Sequence, residues 1–97
     1  MKVTVGAILG VRRLLGWHNI EMVLPEGATV GDWLKAIKVP SGGNAFDLLI
    51  MENGKISPKY MVIYNKIRIG EEMLDAAVKE NDRLVLMDFL HVPSLTC

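Results

Sequence analysis

The first quarter of the chain carries two segments in which apolar residues alternate with polar or small ones. The alternation runs over residues 2–7, just before Ile8-Leu9, and again over about residues 18–24. A period of two is typical of strands with one buried face, so the two segments predict a hairpin. Between them, two glycines bracket Arg12 and Arg13, and we interpret this link as an exposed turn with two solvated arginines.

The clearest helix of the sequence begins after a Pro-Glu-Gly stop. Apolar residues then recur at the i, i+3, i+4 and i+7 spacing of one helix face, at Val30, Trp33, Leu34 and Ile37. Thr29 is a favourable N-cap, and Asp32 three residues later completes a capping box. Pro40 is predicted to end the helix, and residues 40–44 to form a flexible connector. Trp33 is therefore predicted to lie in the core.

A second hairpin is predicted in the middle of the chain. Two apolar runs, Tyr60–Tyr64 and Ile67–Ile69, flank the turn signal Asn65-Lys66. A further turn signal lies at Asn53-Gly54. Residues 47–51 are consistent with either a strand or a short helix, and the sequence leaves both open.

The last third of the chain predicts a brief helix at about residues 72–77 and then a strand. Residues 84–87 are all apolar, as expected of a strand that is covered on both faces. The order is therefore β-β-α-β-β-(short helix)-β, with the first and last strands side by side. This order predicts an α+β fold, a ubiquitin-like β-grasp with a mixed sheet of about five strands and one main helix across a face. We expect residues 1–97 to form one domain, with about 88–97 as a carboxy-terminal tail.

Composition and charge exclude several classes of partner and site. The 97 residues hold 11 Lys and Arg against 11 Asp and Glu, so no net field favours nucleic acid or an anionic membrane. No apolar run is long enough to span a bilayer. A single cysteine and two histidines offer neither an internal disulfide nor a zinc cage. The opening residues alternate, unlike a secretory signal, so a cytoplasmic location is expected.

Three stretches of the sequence resemble a known family. They are "LGVRRLLG" after the first strand, "LPEGATVGDWLKAI" at the start of the helix, and "YMVIYNKIRI" followed by "NDRLVLM". Together they resemble the ThiS/MoaD family of ubiquitin-like sulfur-carrier proteins. The segment with Arg12 and Arg13 is most similar to the molybdopterin-synthase small-subunit branch.

The resemblance implies a protein whose carboxy terminus is adenylated, converted to a thiocarboxylate and inserted into a partner's active site. The family's chemistry depends on a terminal Gly-Gly, since residues without Cβ thread a narrow channel most easily. The matching position here falls near Val92-Pro93, and the last glycine of the sequence is Gly70. The resemblance therefore implies the family's scaffold without its reactive end.

Two functions of different classes follow. In the first, the chain is a protein-protein interaction module that docks through its sheet face and apolar tail and lacks diglycine carrier chemistry. The alternative is a sulfur carrier in molybdopterin or thiamine-type cofactor biosynthesis that uses a non-standard carboxy terminus. No nucleophile–base pair, metal set or phosphate loop is recognisable, so no enzyme activity, catalytic residue, metal site or cofactor is predicted.

The expected partner is a protein, such as an activating enzyme or a cofactor-synthesis subunit, and a homodimer through the tail stays open. Four large apolar residues make the tail unlike a solvated segment, so we expect residues 88–92 to pack as extended chain. The thiol of Cys97 is either a sulfur carrier or a bystander, and nothing near it in sequence lowers its pKa. The residues predicted to dock on a partner are Phe89, Leu90, His91, Val92, Cys97, Arg12 and Arg13.

Overall fold

Five strands form a mixed sheet in the structure, a computed structural model that describes residues 1–88. In chain order the elements are β1 (Lys2–Ile8), α1 (Gly10–Leu15), β2 (Asn19–Val23), α2 (Val30–Ala36), α3 (Ala45–Leu49), β3 (Tyr60–Tyr64), β4 (Ile67–Ile69) and β5 (Arg83–Asp88). The strands lie in the order β2-β1-β5-β3-β4. Strands β1 and β5 pair in parallel, and the other neighbours are antiparallel. The predicted α+β class, both strand pairs and the adjacent first and last strands are confirmed.

The link between β1 and β2 is a helix, so the predicted turn was wrong. Val11 and Leu15 lie four residues apart and are both buried, which packs one face of α1 on the core. Gly16 ends the helix with a φ of 82°, and its N–H donates a hydrogen bond of 2.8 Å to the carbonyl of Arg12. Arg12 and Arg13 are exposed as predicted, but they lie in the last turn of a helix.

Local chemistry sets the start of α2 as predicted. The Thr29 N–H donates to the Asp32 carboxylate at 3.0 Å, and the Asp32 N–H donates to the Thr29 hydroxyl at 3.1 Å. The helix ends earlier than Pro40, because the backbone of Ile37 is already extended. Residues 40–44, predicted as a connector, form a turn. A β-bridge between Lys38 and Asn44 closes this turn.

The region between α2 and β3 settles the choice left open at residues 47–51 in favour of a helix. Helix α3 covers residues 45–49, and the side chain of Asn44 caps it by accepting from the Asp47 N–H at 2.9 Å. The Asn53-Gly54 signal forms a turn closed by a single bridge between Ile50 and Ile56. Past β4, the predicted helix at about 72–77 is a 3-10 turn over Glu71–Met73.

The hydrophobic core lies between the sheet and the helices, all of which pack on one face of the sheet. The indole of Trp33 is fully buried in it, as predicted, while Trp17 is half-buried and packs against its edge. Each described helix contributes two or more buried residues to this core, among them Val11, Leu34 and Leu49. No helix within residues 1–88 is long and apolar enough to cross a membrane.

Candidate functional site

The face of the sheet opposite the helices carries apolar side chains of its own. Along β1, β3 and β5 alternate residues point into the core, and the residues between them point away from it. Five of the outward residues are large, apolar and half-buried, and none of them packs against the core: Ile8, Met61, Ile63, Val85 and Met87. We call these five residues the open-face patch.

Strand register makes the patch continuous. Met87 lies opposite Ile8 on one side and Met61 on the other, so these three side chains form a row across β1, β5 and β3. Val85 lies opposite Ile63 and forms a second row beside the first. Directly opposed side chains on neighbouring strands are in contact distance. The patch therefore is one apolar surface over the three central strands.

A polar border limits the patch on the β2 side. The guanidinium of Arg83 donates a hydrogen bond of 3.0 Å to the side chain of Asn19, two strands away. It passes over Gly6, where an added Cβ would lie 3.0 Å from the guanidinium. Beyond it, Lys2 and Glu21 form an exposed ion pair at 3.6 Å. An apolar centre with a polar rim is the usual arrangement of a protein interface.

The apolar run at residues 84–87 was predicted to be covered on both faces, and the structure differs from that prediction. Leu84 and Leu86 are fully buried under the helices, whereas Val85 and Met87 are half-buried on the open face. No described helix covers that face, so the strand is covered on one side only within residues 1–88. The run therefore has two apolar faces, of which the described elements cover one.

At the end of the sheet, a tight link joins β1 to α1 and to the end of β5. The Gly10 N–H donates a hydrogen bond of 2.7 Å to the carboxylate of Asp88, the last residue of β5. A Cβ at Gly10 would lie 2.9 Å from the Asp88 Cγ, so a larger residue at this position would displace the Asp88 side chain from this contact. Leu9 just before it has a φ of 58° and a ψ of −135°, which costs a non-glycine residue about 1–3 kcal/mol. The structure thus fixes α1 against the end of β5.

A groove lies beside this link, and the two predicted arginines line it. Its walls are formed by Leu9, Gly10, Arg12, Arg13, Gly16 and Asp88. Neither guanidinium has an ion pair or hydrogen bond within residues 1–88. Leu9 is 41% exposed, and Leu14 on α1 is 43% exposed. The groove, which we call the exit groove, therefore presents two cations that are unpaired within residues 1–88 beside the exposed side chain of Leu9. Leu14 does not line the groove and is exposed on the same helix, next to Arg13 in sequence.

Of the residues predicted to dock on a partner, the structure brings together Arg12 and Arg13. The other five, Phe89, Leu90, His91, Val92 and Cys97, lie outside the described residues. The individual residues of the open-face patch were not predicted from the sequence. Its signal was present as the alternation in β1 and β3 together with the unbroken apolar run of β5.

The groups with shifted pKa values stabilise the fold and lie away from the exit groove. Asp82 is 7% exposed and accepts hydrogen bonds from the hydroxyl of Tyr64, from Asn65 at 3.0 Å and from the Lys79 N–H at 2.8 Å. Burial alone would raise the pKa of Asp82, but these hydrogen bonds, that of Tyr64 first, hold it below its usual value. Burial and the neighbouring Asp82 raise the pKa of Tyr64 to about 12. Residues 1–88 contain no group of three or more potential ligands placed to hold a metal ion.

Comparison with known proteins identifies the fold. No family model matches the chain, and no curated protein sequence matches it. Among solved structures, small archaeal modifier protein 1 (SAMP1) from Haloferax volcanii is similar with a TM-score of 0.71 and 18% identity, over 95% of this chain and 99% of that chain. A putative molybdopterin converting factor, subunit 1, from Pyrococcus furiosus has a TM-score of 0.68 and 21% identity, over 91% of this chain and 97% of that chain. The chain has a ubiquitin-like β-grasp fold.

Proposed function

We propose that this chain is a small ThiS/MoaD-like β-grasp protein that acts as a protein-protein interaction module without diglycine carrier chemistry. The open-face patch is the observation that carries the proposal. It is a continuous apolar surface over three strands, bordered by polar side chains, and no described element covers it. Contiguous exposed apolar surface of this kind marks a binding site for another protein. The protein binds a partner and leaves any chemistry to it.

Photo-crosslinking tests the docking face directly. A photoreactive amino acid at Val85 or at Met61 should give the same discrete cross-linked partner in host cells, because both side chains lie in the patch. The matched control is Lys38, which is exposed and lies on the helix side of the sheet. Purified wild-type protein should compete with the patch cross-links. Equal cross-linking from Lys38, or none from either patch position, would contradict docking through this face.

The second candidate function is a sulfur carrier in molybdopterin or thiamine-type cofactor biosynthesis with a non-standard carboxy terminus. The resemblance to the carrier family and the similarity to the Pyrococcus furiosus structure support it. Against it stands Val92-Pro93 at the position of the family's diglycine, because neither residue gives the slim, unrestricted backbone that the channel needs.

Intact mass spectrometry separates the two candidates. The protein is incubated with ATP, an activating enzyme of the host and a sulfur donor. The interaction module should keep its unmodified mass, with a family member that ends in Gly-Gly as the positive control. Exchange of a terminal carboxylate oxygen for sulfur, dependent on the enzyme and on ATP, would establish the carrier function instead.

Truncation tests the part that the tail plays in docking. Removal of residues 93–97 should leave the melting temperature nearly unchanged, because Pro93 cannot donate to a strand ladder. Removal of residues 89–97 also takes away Phe89 and Leu90, whose burial would contribute about 1.5–3 kcal/mol each. This longer truncation should lower the melting temperature or abolish self-association. Identical melting and oligomeric state for all three proteins would remove the tail from the proposal.

A further inference from the structure

The exit groove carries two positive charges that form no ion pair within residues 1–88. Among the residues within 1–88 that line it, Asp88 has the one carboxylate, and this carboxylate accepts the Gly10 N–H. Arg12 and Arg13 are exposed and form no ion pair in the part of the chain that the structure describes, whereas Lys2 and Glu21 pair elsewhere on the surface. The sequence as a whole has a formal net charge of zero, so this cationic site is a local feature.

The groove is held in a fixed relation to the open-face patch. Ile8, the last residue of β1, belongs to the patch, and the chain passes through Leu9 into α1. The patch row through Met87 and the groove therefore lie at the same end of the sheet, on its two sides. The Gly10–Asp88 hydrogen bond joins α1 to β5 at this end. A partner that covers the end of the sheet would contact both surfaces.

We propose that the exit groove binds an acidic segment of a protein partner, whose carboxylates pair with Arg12 and Arg13 while apolar side chains contact Leu9 and Leu14. This inference rests on the proposed function and names the chemistry of the partner. A guanidinium matches a carboxylate through two parallel hydrogen bonds, which gives orientation as well as attraction. The exposed leucines favour a peptide over a phosphate polymer, because a nucleic-acid site would need a longer basic stripe with stacking aromatic residues.

A pair of synthetic peptides tests this chemistry on the full chain. The probe is a short peptide in which Leu and Glu alternate, and its control replaces every Glu with Gln. We expect the Leu-Glu peptide to bind and to shift the amide NMR signals of Gly10 and Leu14. The Leu-Gln peptide should bind at least about tenfold more weakly, since it keeps the apolar contacts and loses the charge. Raising the salt to about 0.5 M should reduce this difference, because the groove is exposed.

Charge variants locate the binding site. Exchange of Arg12→Glu together with Arg13→Glu should weaken the Leu-Glu peptide about tenfold or more. The control, Lys38→Glu with Lys55→Glu, makes the same change in net charge at exposed lysines away from the groove, and should change the affinity less than about twofold. The milder exchange of Arg12→Gln together with Arg13→Gln removes the two charges without reversing them. A melting curve of each variant shows whether a loss of affinity comes from a loss of folding.

The outcomes separate this inference from the proposed function. No binding of the Leu-Glu peptide, equal affinity for both peptides, or equal loss in both charge variants would overturn the acidic partner. Tighter binding of an oligonucleotide or of anionic lipid vesicles to the same arginines would also overturn it, in favour of a phosphate ligand. The cross-linking from Val85 and Met61 is independent of all of these results. It can therefore support docking through the patch even where the groove proposal fails.

Discussion

The two faces of the sheet use the same strands for different purposes. On the helix face, Val62 and Leu86 are fully buried. One residue along each strand, Ile63 and Val85 are half-buried on the open face. Both faces are apolar, so composition does not distinguish them. The difference lies in what covers each face within residues 1–88, because the helices pack on one face and no described element packs on the other.

The largest expected effect is on the helix face, at Trp33. Its indole is fully buried and meets the ring of Tyr64 edge to face, with centroids 6.5 Å apart. Its truncation in Trp33→Ala should lower the free energy of unfolding by about 3–5 kcal/mol, because a large cavity would remain. A urea melt of the variant beside wild type measures this. A loss below about 1 kcal/mol would mean that the helix face does not form the core.

The elements that could be predicted from the sequence are those set by local chemistry or by long periodic patterns. The Thr29–Asp32 capping box, the burial of Trp33 and the hairpin around Asn65 follow from residues a few positions apart. Helix α1 was missed because six residues give too short a pattern, and the burial of Val11 and Leu15 stabilises it. No local pattern could reveal the link between Gly10 and Asp88, because 78 residues separate the two.

The candidate site was predictable only in part, for a related reason. Arg12 and Arg13 were predicted to dock on a partner, which stays a prediction, and their place in the exit groove depends on the contact of α1 with β5. The open-face patch is built from three strands that are distant in sequence. Its residues can be recognised as apolar from the sequence, yet their adjacency requires the order β1-β5-β3. The pairing of strands therefore carries the information that periodicity lacks.

A substitution of Asp82 tests whether the stability of the helix side of the sheet also depends on a buried charge. Its carboxylate holds the β3–β4 turn, through Tyr64 and Asn65, against the segment that leads into β5. In Asp82→Ala three donors lose their acceptor, and we expect a loss of about 1–3 kcal/mol in the free energy of unfolding. Glu52, which is exposed and forms no hydrogen bond or ion pair within residues 1–88, provides the control, and Glu52→Ala should cost less than about 0.5 kcal/mol. Equal melts would show that the network does not stabilise the turn.

The same network predicts a dependence of stability on pH at both extremes. Because the pKa of Asp82 is lowered in the folded state, its contribution is present above the unfolded pKa of about 3.9 and is lost as the pH falls through the folded value. The pKa of Tyr64 is raised to about 12, so its contribution is full below about pH 10 and is lost as the pH rises toward 12. Chemical melts at pH 9 and pH 11 should therefore differ less for Tyr64→Phe than for wild type. An unchanged difference in that variant would assign the alkaline loss to other groups.

The smallest effect is expected on the open face, where one substitution made on both faces gives the most direct comparison. Val62 and Val85 lie on the neighbouring strands β3 and β5 and point to opposite faces. Threonine keeps the shape and the β-branching of valine, so the main change in Val→Thr is that a hydroxyl replaces one methyl group. In Val62→Thr the hydroxyl enters the closed core, which should cost about 1–3 kcal/mol. In Val85→Thr it can reach water, and the free energy of unfolding should change by less than about 0.5 kcal/mol.

The order of the two effects reverses for binding, since Val85→Thr should weaken the cross-linked partner complex and Val62→Thr should leave the docking surface unaltered. Equal losses of stability in the two variants would mean that the open face is covered within the chain itself, and the patch would then be a second core.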